Sequence, residues 1–221
     1  MSIIEKGGDE EGTTKMKFES LPLAGAYQIH LEPRHDGRGF FARSWCVDTF
    51  AENGIDFDFV QANFSRTQRR GTIRGMHFQR DPFPDAKVVR CTQGRIFEVI
   101  ADIRPDSPTF GQWWSTILGE DTFTMVHVPA GCAQGFQSLT DDVVVEYFMS
   151  ERFRPAYYGG FRHDDPLMGI QWPLPVTTIS AQDMNWPLLQ PLRTELPFPV
   201  LSRVEIAAGA RVPIQANRDA L

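Results

Sequence analysis

Apolar and polar residues alternate with a period of two over much of this chain, in short runs cut by glycine and proline. That is the pattern of half-buried strands, not of amphipathic helices. Apolar runs from Lys17 to Glu32 predict strands that end in Pro33-Arg34-His35-Asp36-Gly37-Arg38-Gly39, where two glycines around Arg38 make a turn able to fix its guanidinium. Phe40 to Asn53 is the best helical candidate, with Ser44 as a cap, Phe50 and Ala51 on its apolar side and Asn53-Gly54 as its stop. Phe57 to Ser65 reads as a strand that puts Gln61 and Asn63 on one face. Lys87 to Cys91, the turn Thr92-Gln93-Gly94 and Arg95 to Arg104 predict a hairpin. Trp113 to Gly119, Thr124 to Val128 and Asp142 to Met149 are further strands, the last with Val143, Val145, Tyr147 and Met149 sharing a face. Many short strands joined by Gly/Pro turns indicate an all-β sandwich or barrel.

The two ends differ from this body. Residues 1–14 are polar and predict a disordered leader. Residues 15–190 form one domain, in which the pattern loosens after Pro155 into a segment with Trp172 and Trp186, suited to pack over a barrel mouth or against a partner. Residues 191–221 form a C-terminal extension packed on the domain or on a partner, with alternation around Val200 to Ile214 and a possible turn at Gly209.

One stretch carries chemistry that a buried strand does not need: Gly71-Thr72-Ile73-Arg74-Gly75-Met76-His77-Phe78-Gln79. Strict alternation would put Arg74 and His77 on opposite faces, so for both to serve one site the strand must break its period between them. Gly75 permits such a bulge. A base and a permanent cation brought together would suit an anionic substrate with a removable proton. The same stretch would also suit a packed core histidine beside an exposed arginine.

Composition narrows the classes. A chain of 221 residues with 42% hydrophobic and 12% aromatic content fits one packed core. A formal net charge of −6 disfavours nonspecific contact with nucleic acid or anionic membrane. Against that average, Arg66, Arg69, Arg70, Arg74, Lys87 and Arg90 cluster in sequence and suit a small phosphorylated ligand. Cys46, Cys91 and Cys132 are odd in number and lack CxxC spacing, which predicts reduced, buried thiols in a cytoplasmic protein. No apolar run has the length of a signal or membrane-spanning segment.

Taken in order, the Gly71–Gln79 stretch, Lys87-Val88-Val89-Arg90-Cys91, Asp102-Ile103-Arg104 and Ser107-Pro108-Thr109-Phe110-Gly111 make a pattern that resembles the dTDP-4-dehydrorhamnose 3,5-epimerase family. Gly37-Arg38-Gly39-Phe40-Phe41, Gln61-Ala62-Asn63, Pro129-Ala130-Gly131-Cys132-Ala133-Gln134-Gly135-Phe136 and Ser180-Ala181-Gln182-Asp183 support it, and the match runs from about Leu21 to Leu189. It implies a cupin-type jelly roll with a few short helices, a homodimer, acting without metal or cofactor on a nucleotide-linked 4-keto-6-deoxyhexose. By position, His77 would be the base, Asp183 its orienting carboxylate and Tyr147 the acid. Lys87 would stand near the developing enolate, Arg38 and Arg74 at diphosphate or sugar, Gln61 and Asn63 at nucleotide or sugar, and Phe153 on the nucleobase.

Several residues depart from the family pattern. Gln134 stands for a histidine, Arg43 for an acidic residue, Phe153 for a tyrosine, Glu98 for an aspartate and Gln182 where a lysine can occur. The proposed base, acid and carboxylate remain while their surroundings change, which predicts retained proton chemistry on an altered substrate or at a single carbon. Cupin-type barrels often bind a metal through a His-x-His pair plus a later glutamate and histidine. Here the second and the last of the histidine places hold Gln79 and Gln134, and an amide is a poor metal ligand. His30, His35, His127 and His163 are scattered and read as surface or packed residues. A sugar ketoisomerase on the same barrel, or a non-catalytic sugar-nucleotide binding module, would keep much of the pattern.

Overall fold

A computed structural model describes residues 15–55 and 58–189. The leader expected over 1–14 and the extension expected over 191–221, with its turn at Gly209, lie outside the described residues. In order, the chain forms β1 (Met16–Ser20), β2 (Tyr27–Leu31), β3 (Arg34–Asp36), β4 (Gly39–Phe41), α1 (Val47–Glu52), β5 (Gln61–Thr67), β6 (Thr72–Gln79), β7 (Lys87–Gln93) and β8 (Arg95–Ala101). It continues with β9 (Trp113–Gly119), β10 (Thr124–Val128), β11 (Ala133–Ser138), β12 (Val143–Met149), β13 (Tyr158–Gly160), β14 (Thr178–Ile179) and α2 (Ala181–Met184).

Two sheets face each other. One has the order β1-β2-β10-β7-β12-β5; the other runs β13-β6-β11-β8-β9, with β14 added alongside β6. Their inner faces interlock Val89, Val126, Val143 and Val145 against Ile96, Ile100, Leu118 and Phe136. Each sheet is covered on its outer side as well. Phe50 and Ile55, in and just after α1, pack with Ile29, Val88 and Met125 outside the first sheet, and Phe161, Met168, Ile170 and Trp172 pack with Phe97, Val99 and Ala101 outside the second. The segment after Pro155 is therefore chiefly an outer cover for a sheet, with Tyr158 and its α2 end turned to the barrel mouth. This is why β8 reads as a nearly continuous apolar run, its two faces both being buried.

Three local expectations change. The helix is shorter than Phe40–Asn53: Gly39–Phe41 is a strand, and Cys46, not Ser44, occupies the N-cap, without a side-chain capping bond. The Thr92-Gln93-Gly94 turn does not close a hairpin. β7 and β8 belong to different sheets, so the chain crosses the sandwich at Gly94 (φ +71°), where a Cβ would come within 2.5 Å of Thr140 Oγ1. Cys91 and Cys132 are buried, whereas Cys46 is half-buried; all three are free thiols.

The expected break in β6 is present. In the pairing of β6 with β11, Gln134 lies opposite His77 and Phe136 opposite Arg74, so two residues of β6 fall where β11 has one. The extra residue lies at Gly75-Met76, and Gly75 takes φ +131° with its backbone so close to β11 that a Cβ would lie 2.6 Å from Gly135 Cα. Glycine is required there for conformation and for space. The Asp102 and Ser107-Pro108-Thr109 motifs are structural: buried Asp102 accepts bonds from Arg104, Ser107 Oγ and Thr109 Oγ1, and Arg104 reaches on to Ala24 O at 2.8 Å.

Gly75→Ala should lower stability by about 1–3 kcal/mol, the usual cost of forcing extra volume into a packed site. Urea unfolding checks this, and an unchanged midpoint would show that β6 does not need the bulge in this form.

Candidate active site

Where the inner faces lose their apolar residues, a cavity of about 450 Å³ opens between the sheets. The change follows the strands: Val143 and Val145 on β12 give way to Tyr147 and Met149, and Val89 on β7 gives way to Lys87. From the first sheet the cavity receives Gln61, Asn63, Lys87 and Tyr147; from the second it receives Arg74, His77 and Gln134. The bulge thus places Arg74 and His77 on one wall, with Tyr147 on the wall opposite.

His77 is held from outside its own sheet. Its Nε2 lies 2.7 Å from Asp183 Oδ1. Asp183 also accepts from Gly75 N–H at 3.3 Å and Trp186 Nε1–H at 3.2 Å. Ser180 caps α2 by accepting from Asp183 N–H at 3.0 Å, so Asp183 lies in the first turn of α2 while its carboxylate reaches His77. Burial alone would push the Asp183 carboxyl up, but the His77 bond and charge, with the Gly75 and Trp186 donors, hold it below the usual carboxylate value. Nε2 engaged by a carboxylate is the protonated nitrogen, which leaves Nδ1 as the basic one.

Tyr147 is raised above the ordinary tyrosine value, first by burial and also by Asp85, with Arg74 opposing. Its phenol is protonated at neutral pH and able to donate. Lys87 is buried, with Nζ 3.4 Å from Asp85 Oδ2. Arg74 is braced by Thr67 Oγ1 at 2.9 Å and Arg66 O at 3.1 Å. Gln61 Nε2 donates to Asn63 Oδ1 at 3.2 Å, and Gln61 Oε1 accepts from Phe153 N–H at 2.9 Å, so Gln61 also sets the aromatic at the rim. Phe153 is 46% exposed.

Not every expected residue is here. Arg38 sits on the exposed β3–β4 hairpin, paired with Asp36 at 2.6 Å, and does not line this cavity. The basic cluster is split: Arg74 and Lys87 face the cavity, while Arg66 pairs with Asp142 and Arg90 with Glu146. Arg43 precedes α1 and is not part of the cavity wall. The amides in the two metal-ligand places are turned to the protein: Gln79 Nε2 donates to Phe83 O and Arg152 O, and Gln134 Nε2 to Glu98 Oε1. Among the described residues no group of three His, Cys, Asp or Glu side chains is arranged for a metal ion.

Tyr158 and Asp85 are residues that sequence reasoning missed, and Trp186, read only as part of a covering segment, is also a donor to Asp183. Tyr158 packs against His77 (ring centroids 5.3 Å apart), Phe153 and Trp186, and burial, then Asp183, Tyr147 and Asp85, raise its phenol above the usual value. Tyr158-Gly159-Gly160 was the available signal: a Cβ at Gly160 would meet Trp186 Nε1 at 2.5 Å, so the glycine marks a close approach.

A β-sandwich cavity with a carboxylate-backed imidazole on one wall and a phenol on the other is suited to moving protons by acid–base catalysis, the chemistry of a jelly-roll isomerase. The profile of the dTDP-4-dehydrorhamnose 3,5-epimerase family matches residues 20–191, and the chain belongs to that family. The dTDP-4-dehydrorhamnose 3,5-epimerase of Sinorhizobium fredii is 38% identical over 184 residues, 83% of this chain and 93% of the relative. A Streptomyces niveus relative named dTDP-4-dehydrorhamnose 3-epimerase is 35% identical over 179 residues, 80% of this chain and 86% of its own. The solved structure of the 3,5-epimerase from Bacillus anthracis, with TDP and PPi bound, has a TM-score of 0.77 and 35% identity, covering 79% of this chain and all of that one. The fold is the cupin-type jelly roll. No helix among the described residues is long and apolar enough to cross a membrane.

Because the folded Asp183 carboxyl lies below its unfolded value of about 3.9, its ionised form stabilises the fold above that pH and the contribution fades as pH falls through the lower folded value. Asp183→Asn should therefore cost stability at pH 7 and progressively less below about pH 4. Thermal unfolding across pH checks this; a difference that does not change with pH would mean that the charge on Asp183 plays no part.

Proposed function

We propose that the protein epimerises a nucleotide-diphosphate-linked 4-keto-6-deoxyhexose, with dTDP as the nucleotide, at C3, C5 or both. The observation that carries this reading is the 2.7 Å contact of His77 Nε2 with Asp183 Oδ1 in a cavity faced by Tyr147. A binding module has no use for such a pair, and moving a carbonyl is not required of it.

His77 Nδ1 takes the proton next to the keto group, and the electron pair moves onto the carbonyl oxygen as an enolate. Lys87 stabilises that charge where it develops. Asp183 keeps Nδ1 unprotonated in the resting state and offsets the positive charge of the imidazolium. Tyr147 O–H gives its proton to the opposite face of the carbon, and His77 and Tyr147 return to their resting forms by exchange with water. Arg74 meets diphosphate or sugar, Gln61 and Asn63 hold nucleotide or sugar, Gln134 faces the sugar, and Phe153 stacks on the base. The product serves deoxysugar or cell-surface polysaccharide synthesis, and the free thiols suit a cytoplasmic location.

The working form is a homodimer. Phe40 and Phe41 on the β3–β4 hairpin are 59% and 65% exposed, and Phe64, on the edge strand β5, is 80% exposed. Apolar surface of this kind on a hairpin and a sheet edge calls for a second copy to cover it. Arg38, on the same hairpin and outside its own cavity, is then available to the partner's.

Incubated in D₂O with dTDP-linked 4-keto-6-deoxyhexoses, the protein should place deuterium at C3, C5 or both, read by NMR. His77→Ala should lower exchange on the order of 10²–10⁴-fold while dTDP still binds; an active His77→Ala protein would overturn the assignment. Light scattering should give twice the chain mass, and Phe41→Glu with Phe64→Glu should reduce it. A wild-type monomer at assay concentration would contradict the dimer.

A further inference from the structure

Glu98 is a carboxyl group that the proton chemistry above does not use. It stands on the inward face of β8 between Ile96 and Ile100 and is fully buried. Its Oε1 accepts from Gln134 Nε2 at 2.7 Å, while its buried Oε2 has no hydrogen-bond partner. Gln134 lines the cavity and lies opposite His77 in the β6–β11 pairing. Glu98 engages one of the two Nε2 hydrogens, which leaves Oε1 as the acceptor of the Gln134 amide.

Two forms of this carboxyl would act differently on the site. Ionised, it would leave one oxygen of a buried charge without a partner, a costly state, and would set a negative charge beside a cavity where an enolate must form. Neutral, it keeps a carbonyl acceptor for Gln134 and adds no charge, at the smaller cost of an unpaired hydroxyl on Oε2.

We propose that Glu98 is a positioning residue, protonated in the working enzyme, that holds the Gln134 amide with Oε1 toward the sugar as a hydroxyl acceptor and keeps this wall uncharged while the enolate forms. The surroundings agree. Burial pushes the Glu98 carboxyl up to about 8, and the Gln134 bond and the Lys87 charge only partly counter it. The groups facing it are Lys87 and Cys91 from β7 across the barrel, Gln134 and Phe136 from β11, and Thr116 from β9. Cys91, pushed up to about 12 chiefly by burial, stays a neutral thiol where Glu98 titrates. A sugar hydroxyl meeting Oε1 would be read by a neutral acceptor, not by a cation, so the pair selects for a donor at that position of the ring.

The catalytic part rests on the epimerase reading; the protonation does not, so two measurements separate them. First, infrared difference spectra of wild type against Glu98→Gln should show a protonated-carboxyl band that is lost in the variant and titrates with a midpoint near pH 8. A Glu98 already ionised at pH 6 would overturn the proposal whatever the protein catalyses. Second, wild-type deuterium exchange should decline above about pH 8, as the carboxyl ionises. Glu98→Gln should retain most exchange at pH 7 and lose that decline, whereas Glu98→Ala should lose about tenfold or more for want of the bond to Gln134. A Glu98→Gln protein that melts like wild type and either keeps the alkaline decline or loses over about a hundredfold at pH 7 would overturn the positioning role. Wild type without exchange on any 4-keto sugar nucleotide would sink the epimerase reading and the catalytic role together, with the infrared titration still deciding the protonation.

Discussion

The contact between His77 and Asp183 is the constraint on which the site depends. It joins the middle of a core strand to a one-turn helix more than a hundred residues later in the chain. The carboxylate is not placed by its own short helix alone. Gly75 N–H, freed from the ladder by the bulge, is one of its donors, and Trp186, packed against Gly160 and Tyr158, is another. The irregularity that turns Arg74 and His77 to one wall thus also supplies the backbone group that anchors the carboxylate. Packing, backbone conformation and imidazole tautomer are set by the same few residues.

The sandwich gives this arrangement its second dimension. The His77 imidazole and the Tyr147 phenol come from different sheets, and the apolar core between those sheets fixes their separation better than any loop could. The outer covers matter for the same reason. The segment after Pro155 buries the back of the second sheet before it turns to deliver Asp183, so the carboxylate that meets His77 is tied to a large hydrophobic contact. Charge is sparse and placed. Lys87 and Arg74 are the cations at the cavity wall, both braced, while other arginines of the sequence cluster are neutralised by outward partners. The wall carrying Gln134 and Glu98 has an amide over a buried carboxyl where a histidine would put a titratable cation.

Strand positions were legible because alternation and turn glycines are local. Trp113–Gly119 and Thr124–Val128 fall where the pattern puts them, and the bulge that Gly75 permits, needed if Arg74 and His77 serve one site, is present. Partner choice was not legible. A Gly turn between two apolar runs looks the same whether the strands pair or separate into two sheets, and β7 and β8 separate. Local propensity likewise could not show that Phe40 and Phe41 belong to an exposed hairpin instead of a helix. In the site, His77, Tyr147 and Asp183 carry their chemistry in their identities, whereas Tyr158 acts through packing and the bond from Trp186 to Asp183 is hinted at only by Gly160, which Trp186 crowds. Arg38 matched by position, yet its hairpin does not reach the cavity of its own chain.

The central claim is that Asp183 fixes the imidazole so that Nε2 carries the proton and Nδ1 faces the sugar as the base. Nitrogen-15 NMR of the His77 ring at neutral pH reads this directly. The account predicts a protonated Nε2 and a bare Nδ1, with the preference weakened in Asp183→Asn. A ring protonated on Nδ1, or one whose tautomer is indifferent to Asp183, would contradict it.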